Sequence, residues 1–192
     1  LARHYEYKRL SKEITHGCRT DEEKVLAILA WTRKNIRDVP IGMPVCDDHI
    51  LYVIIRGYGV PEQFQDVFTT LCSYTGMPAF WKKVYDKDGK TKYALSFVKI
   101  DGRWCIIDAY LRKYFRNDDG RIVSINDIAA DRSPVNKIPD DLMVSGVPYK
   151  NFYYNLSSMT KPKYSRAEKQ MPLKRIFFET EKVIGIQKEE LE

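Results

Sequence analysis

Apolar residues recur at helical spacing in two well-defined segments of this chain. Val25, Ile28, Leu29 and Ile36 fall near one stripe of TDEEKVLAILAWTRKNI, and Phe64, Val67, Phe68 and Leu71 line one stripe of PEQFQDVFTTLC. Thr20 heads the first segment as an N-cap, with Glu23 completing a capping box and Asp21 and Glu22 complementing the helix dipole. That helix ends before Pro40. A loop with two prolines and a glycine, VPIGMPVCDD, leads to a short helix through HILYVIIR, with Asp48 as its cap and Gly57 as its stop. The second segment starts at Pro61, where the missing N–H costs nothing, and Gly76 ends it. This is the expected central helix.

Beyond Gly76 the period changes from that of a helix to that of a strand. AFWKKVYD, KYALSFVKI and WCIID are separated by the turn signals DKDGK and DGR, which predicts a three-stranded antiparallel meander. NDDG at 117–120 leads to a further short strand, RIVS. Helices first and strands after them indicate an α+β fold, with the central helix packed on an antiparallel sheet. Past Ser133 the periodicity lapses until a terminal helix in PLKRIFFETEKVI, and Ser165 with Glu168 offers a second capping box just before it. The expected organisation is one domain over 1–192, with a core of about 20–130 and an arm over 134–192 whose aromatics, Tyr149, Phe152, Tyr153 and Tyr154, need cover.

Composition narrows the function classes. Of 192 residues, 44% are hydrophobic, 12% aromatic and 30% charged, the proportions of a globular protein. The net charge of +6 comes from 32 basic residues interleaved with 26 acidic ones, a mixed surface that argues against a nucleic-acid groove. The apolar runs, such as LYVII at 51–55, are too short to span a membrane. Four cysteines form no disulfide framework. His16, Cys18, Cys46 and His49 are zinc-type ligands, but they come from separate loops with a tight His-x-Cys half, so no metal or other cofactor is expected. The chain starts at Leu1, which leaves room for a removed targeting segment.

A helix entered through GYGVPEQF and followed by a meander ending in DGRWCIID resembles the transglutaminase-like superfamily of the papain-like cysteine hydrolase fold. The resemblance covers about residues 20–130. Gly59 matches the family's glycine, GMPA at 76–79 its Gly-Ile-Pro-Ala turn, Tyr93-Ala94 its His-Ala pair, and Asp108 its strand-end aspartate. In that register the nucleophile position holds Pro61 and the base position holds Tyr93, so only Asp108 of the triad survives. Such a triad needs a thiol at a helix N-terminus, a histidine to take its proton and a carboxylate to orient the histidine. Proline carries no nucleophile, and tyrosine, with a pKa of about 10, is a poor base at neutral pH.

No other cysteine fills the gap. Cys72 lies eleven positions along the helix from Pro61, about 16 Å at 1.5 Å per residue, and Cys105 should point to the opposite face of the sheet from Asp108. The resemblance therefore implies a pseudoenzyme: a catalytically inactive transglutaminase-like domain acting as a protein- or peptide-binding or scaffolding module. Its expected ligand is a peptide or protein segment in the remnant cleft, near Trp81, Tyr93, Trp104 and Glu62. The alternative is an active cysteine-type hydrolase or transglutaminase-like acyltransferase with a non-standard site, using Cys46 and His49 or Glu62 and Asp108. The resemblance also suggests a bacterial, extracytoplasmic setting.

Overall fold

The computed structural model describes residues 2–46 and 49–185. Four helices precede the sheet: α1 (Ala2–Ile14), α2 (Asp21–Asn35), α3 (Ile50–Arg56) and α4 (Pro61–Tyr74). The first has no counterpart in the periodicity reading, because its one large buried residue, Tyr7, makes no stripe that a pattern search recognises. Thr20 caps α2 as expected, its hydroxyl accepting from Glu23 N–H while the Glu23 carboxylate accepts from Thr20 N–H. Asp48, the expected cap of α3, lies outside the described residues. A short parallel pair, β1 (Arg37–Asp38) and β2 (Tyr58–Gly59), ties the end of α2 to the entrance of α4.

The meander forms as β3 (Ala79–Tyr85), β4 (Lys92–Ile100) and β5 (Arg103–Ile107), antiparallel throughout, with β4 central. Its register pairs Trp81 with Ser96, and Lys99 with Trp104. Side chains alternate between the two faces of a strand, so Trp81 and Trp104 emerge on opposite faces. Ala79, Val98, Ile100, Cys105 and Ile107 join the helices in one core. Phe80, Val84, Tyr93, Leu95, Phe97 and Ile106 form the other core, with the segment after the sheet. Burial on both faces accounts for the nearly unbroken apolar run of β4, which lacks the alternation of a half-exposed strand.

RIVS does not form a ladder strand. Ile122 and Ser124 make isolated bridges, to Arg116 and Cys105, because Ser124 leaves the sheet to cap α5 (Ile125–Ala130). There follow α6 (Ser133–Asn136), a two-residue hairpin of β6 (Met143–Val144) and β7 (Val147–Pro148), and a 3-10 turn over Tyr149–Tyr153. That turn lays Tyr149, Phe152 and Tyr153 on the sheet face opposite α4. Ser165 and Glu168 exchange their reciprocal bonds at 2.9 and 3.2 Å, and α7 (Pro172–Val183) closes the described chain. The result is three layers: helices, sheet and arm.

Candidate functional site

The entrance to α4 is built by close backbone approach. A Cβ on Gly59 would lie 2.8 Å from Gln63 Oε1 and 3.0 Å from Gln63 Cβ, so only glycine fits without displacing that side chain. Gln63 needs the space. Its Oε1 accepts from Val60 N–H at 3.2 Å and from Arg56 Nη2 at 2.9 Å, and its Nε2 donates to the carbonyl of Cys46 at 2.7 Å. Pro61 then opens the helix at its first position, where no N–H is required.

One turn further along the same helix face, Gln65 reaches the sheet. Wholly buried, it donates from Nε2 to the Ala94 carbonyl and to Asp108 Oδ1, both at 3.2 Å, and accepts at Oε1 from Ser96 Oγ at 2.6 Å and Ala109 N–H at 3.2 Å. The face of α4 that carries Pro61 and Gln65 is thus the one directed at the strand ends holding Ala94 and Asp108.

Asp108 follows the last strand and has no exposed surface. Its Oδ2 accepts from Tyr93 Oη at 2.8 Å and from Tyr149 Oη at 2.9 Å. Oδ1 accepts from the backbone N–H groups of Tyr110 and Leu111, each at 3.0 Å, besides Gln65. Because Tyr149 spends its only hydroxyl proton on Asp108, the 2.8 Å contact between Tyr149 and Tyr153 has Tyr153 as donor. Three tyrosines and a glutamine therefore enclose the carboxylate.

Burial raises Asp108 above the usual carboxylate range, opposed by the hydrogen bonds from Leu111, Tyr93, Tyr149 and Gln65. Burial and the Asp108 charge push Tyr93 and Tyr149 far up, and burial does the same to Tyr153. These hydroxyls hold their protons and donate them as hydrogen bonds. Burial also pushes the Cys72 thiol well up and that of Cys105 to about 11, so neither supplies a thiolate at neutral pH.

Of the residues singled out from the sequence, the structure brings Tyr93 and Asp108 into contact and sets Pro61 one turn before the glutamine that touches them. It does not assemble the expected cleft. Trp81 lies on the helix side and donates from Nε1 to Asp66 Oδ1. Trp104 lies on the arm side, edge-on to Phe80 at 5.1 Å, so the sheet separates the two tryptophans. Tyr93 is buried beneath Tyr149 and Phe152 on the arm side of the sheet.

Glu62 pairs with Lys83 at 3.2 Å on the surface, while Asp108 is sealed inside, so these two carboxylates share no site. His49 stands at the N-cap of α3 against the Tyr52 ring, and no hydrogen bond joins it to Cys46 among the described residues. Cys18 and Cys46 are free thiols, and no group of metal-type ligands forms among the described residues. Gln65 and Tyr149 were missed as members of the site. A glutamine one turn after Pro61 was the legible signal for the first; Tyr149 offered only its need for cover.

A family model described as the transglutaminase-like superfamily matches residues 8–109. Among solved structures, a putative cysteine protease from Cytophaga hutchinsonii is 23% identical, with a TM-score of 0.50 over 68% of this chain and 45% of that one. A putative protease from Parabacteroides distasonis is 20% identical, with a TM-score of 0.46 over 62% of this chain and 27% of that one. A structure described as a TGase is 16% identical, with a TM-score of 0.43 over 56% and 30% of the two chains. The chain spans less than half the length of each. The first of these likenesses concerns the fold: helices on an antiparallel sheet. No curated protein matches.

Proposed function

The chain belongs to the transglutaminase-like superfamily, and from that premise we propose that it is a catalytically inactive member, a pseudoenzyme that works as a protein-binding or scaffolding module. One observation carries the reading: at the positions matching the family's base and orienting acid, Tyr93 and Asp108 form a sealed hydrogen-bonded node completed by Tyr149, behind a helix that begins with Pro61. A triad passes a proton between partners and must meet substrate. This node holds its protons and has no opening to solvent at Asp108. Its chemistry is that of a buried polar joint.

With Tyr93 and Asp108 buried, a partner meets the exterior of the domain. Large apolar side chains stand exposed there, including Tyr52 and Ile55 of α3 and Ile41, Met43 and Val45 of the loop before it. The test uses purified protein, an iodoacetamide probe at neutral pH, and amidase and transamidase assays. The expected result is no turnover and no thiol labelled in a histidine-dependent way. Selective labelling of Cys46 that disappears in His49→Ala overturns the proposal and favours the active hydrolase.

A further inference from the structure

Asp66 of α4 is a nearly buried carboxylate that meets a guanidinium from the far end of the chain. Its side chain is 5% exposed, and its Oδ1 accepts from Trp81 Nε1 at 2.5 Å and lies 3.1 Å from Arg166 Nε. The Arg166 guanidinium also stands over the Trp81 ring, 6.0 Å from its centre. Glu62, one turn earlier on α4, pairs with Lys83 of β3 at 3.2 Å. The neighbouring strand thus supplies the cation for Glu62, and the arm supplies one for Asp66.

The segment that brings Arg166 is lightly built into the domain. Between 157 and 185 the buried residues are Ser165 and Ala167, both small. Many of its bonds run within itself: Lys161 to Glu168 at 2.5 Å, Lys163 and Tyr164 to Glu181 at 2.7 and 3.0 Å, and Phe178 edge-on to Tyr164. Towards α4, Tyr74 Oη donates to the Gln170 carbonyl at 3.1 Å. A segment that buries so little apolar surface opens locally before the domain unfolds. Opening leaves Asp66 and Trp81 as a carboxylate beside an aromatic face, which together receive a guanidinium: its N–H groups meet the carboxylate and its flat face meets the ring. Lysine offers no flat face, and Asp66 repels an anion. We propose that Asp66 and Trp81 form a guanidinium-binding site, occupied in cis by Arg166, at which an arginine-bearing segment of a partner protein displaces the chain's own. This rests on the binding-module reading and names the partner's chemistry.

The full chain and its Arg166→Ala and Arg166→Lys variants are titrated with a fluorescein-labelled peptide of sequence 161–171, KPKYSRAEKQM, and with the same peptide carrying Arg166→Ala. The arginine peptide is expected to bind the Arg166→Ala protein about tenfold or more tightly than wild type, with Arg166→Lys between them, because the vacated contact is a charge-assisted one. Adding Asp66→Asn to Arg166→Ala is expected to remove that gain. N-ethylguanidinium should restore the melting temperature lost in Arg166→Ala, and ethylammonium should not. Equal binding of the two peptides, or a gain that survives Asp66→Asn, overturns the site. Absence of peptide binding to all three proteins overturns the displacement. Failure here leaves the pseudoenzyme reading in place, whereas amidase or transamidase turnover removes that reading without altering the peptide titrations.

Discussion

Asp108 shows how a carboxylate with no exposed surface is satisfied inside the domain. Five donors converge on it, from Tyr93, Tyr149, Gln65 and the N–H groups of Tyr110 and Leu111, and that set satisfies a buried anion as fully as any triad would. Asp108→Asn turns an acceptor into a donor facing tyrosine hydroxyls, at a cost of about 2–4 kcal/mol. The pH dependence of that cost follows from the raised carboxyl. With its folded pKa above its unfolded one, Asp108 binds more protons in the folded state between the two values, so wild-type stability falls as pH rises through that window. The penalty of Asp108→Asn, measured by urea unfolding, is therefore expected to be larger near pH 4 than at pH 7. A penalty that grows with pH would mean that the hydrogen bonds outweigh burial.

The helix α4 shows the next scale up. Its apolar stripe, Phe64, Val67, Phe68 and Leu71, is wholly buried, as its period indicated. Its polar positions serve as rivets: Gln63 to the Cys46 carbonyl, Gln65 to two strands, Asp66 to Trp81 and to Arg166 of the arm at 3.1 Å. Gly59 makes the first rivet possible. Gly59→Ala is expected to cost about 1–3 kcal/mol, since the added carbon displaces Gln63 from Val60 and Cys46. A lowered denaturation midpoint with an unchanged denaturant slope would confirm a purely native-state effect. No change in midpoint would show that Gln63 moves at no cost. The glycine was legible as part of a family pattern; its physical reason, the glutamine behind it, was not.

At the scale of the whole molecule, the arm packs on one face of the sheet. Tyr149, Phe152, Tyr153 and Leu156 cover one face of the sheet, and the node at Asp108 closes only when Tyr149 arrives 41 residues later in the chain. A chain ending at residue 138 would strip Tyr93 of the rings of Tyr149 and Phe152 and Asp108 of the Tyr149 hydroxyl. It is expected to lose the sharp thermal transition of the full chain, by circular dichroism, and to aggregate. If it instead melts cooperatively, the sheet is stable with one covered face and the arm is an accessory.

Local pattern determined α2, α4, the three-stranded meander and the reciprocal cap at Ser165, because helix and strand periods, turn glycines and caps depend on residues within a few positions of one another. The resemblance to the transglutaminase-like family, not local pattern, set Pro61, Tyr93 and Asp108 in one register. Only the tertiary structure decided what fills the space beside them. Trp81 and Trp104 face away from each other because strand register, set by pairing across the sheet, assigns each to its face. The arm's tyrosines sit on Asp108 because a buried carboxylate and an uncovered sheet face both had to be satisfied, and a segment without periodicity gives no sign of where it will pack.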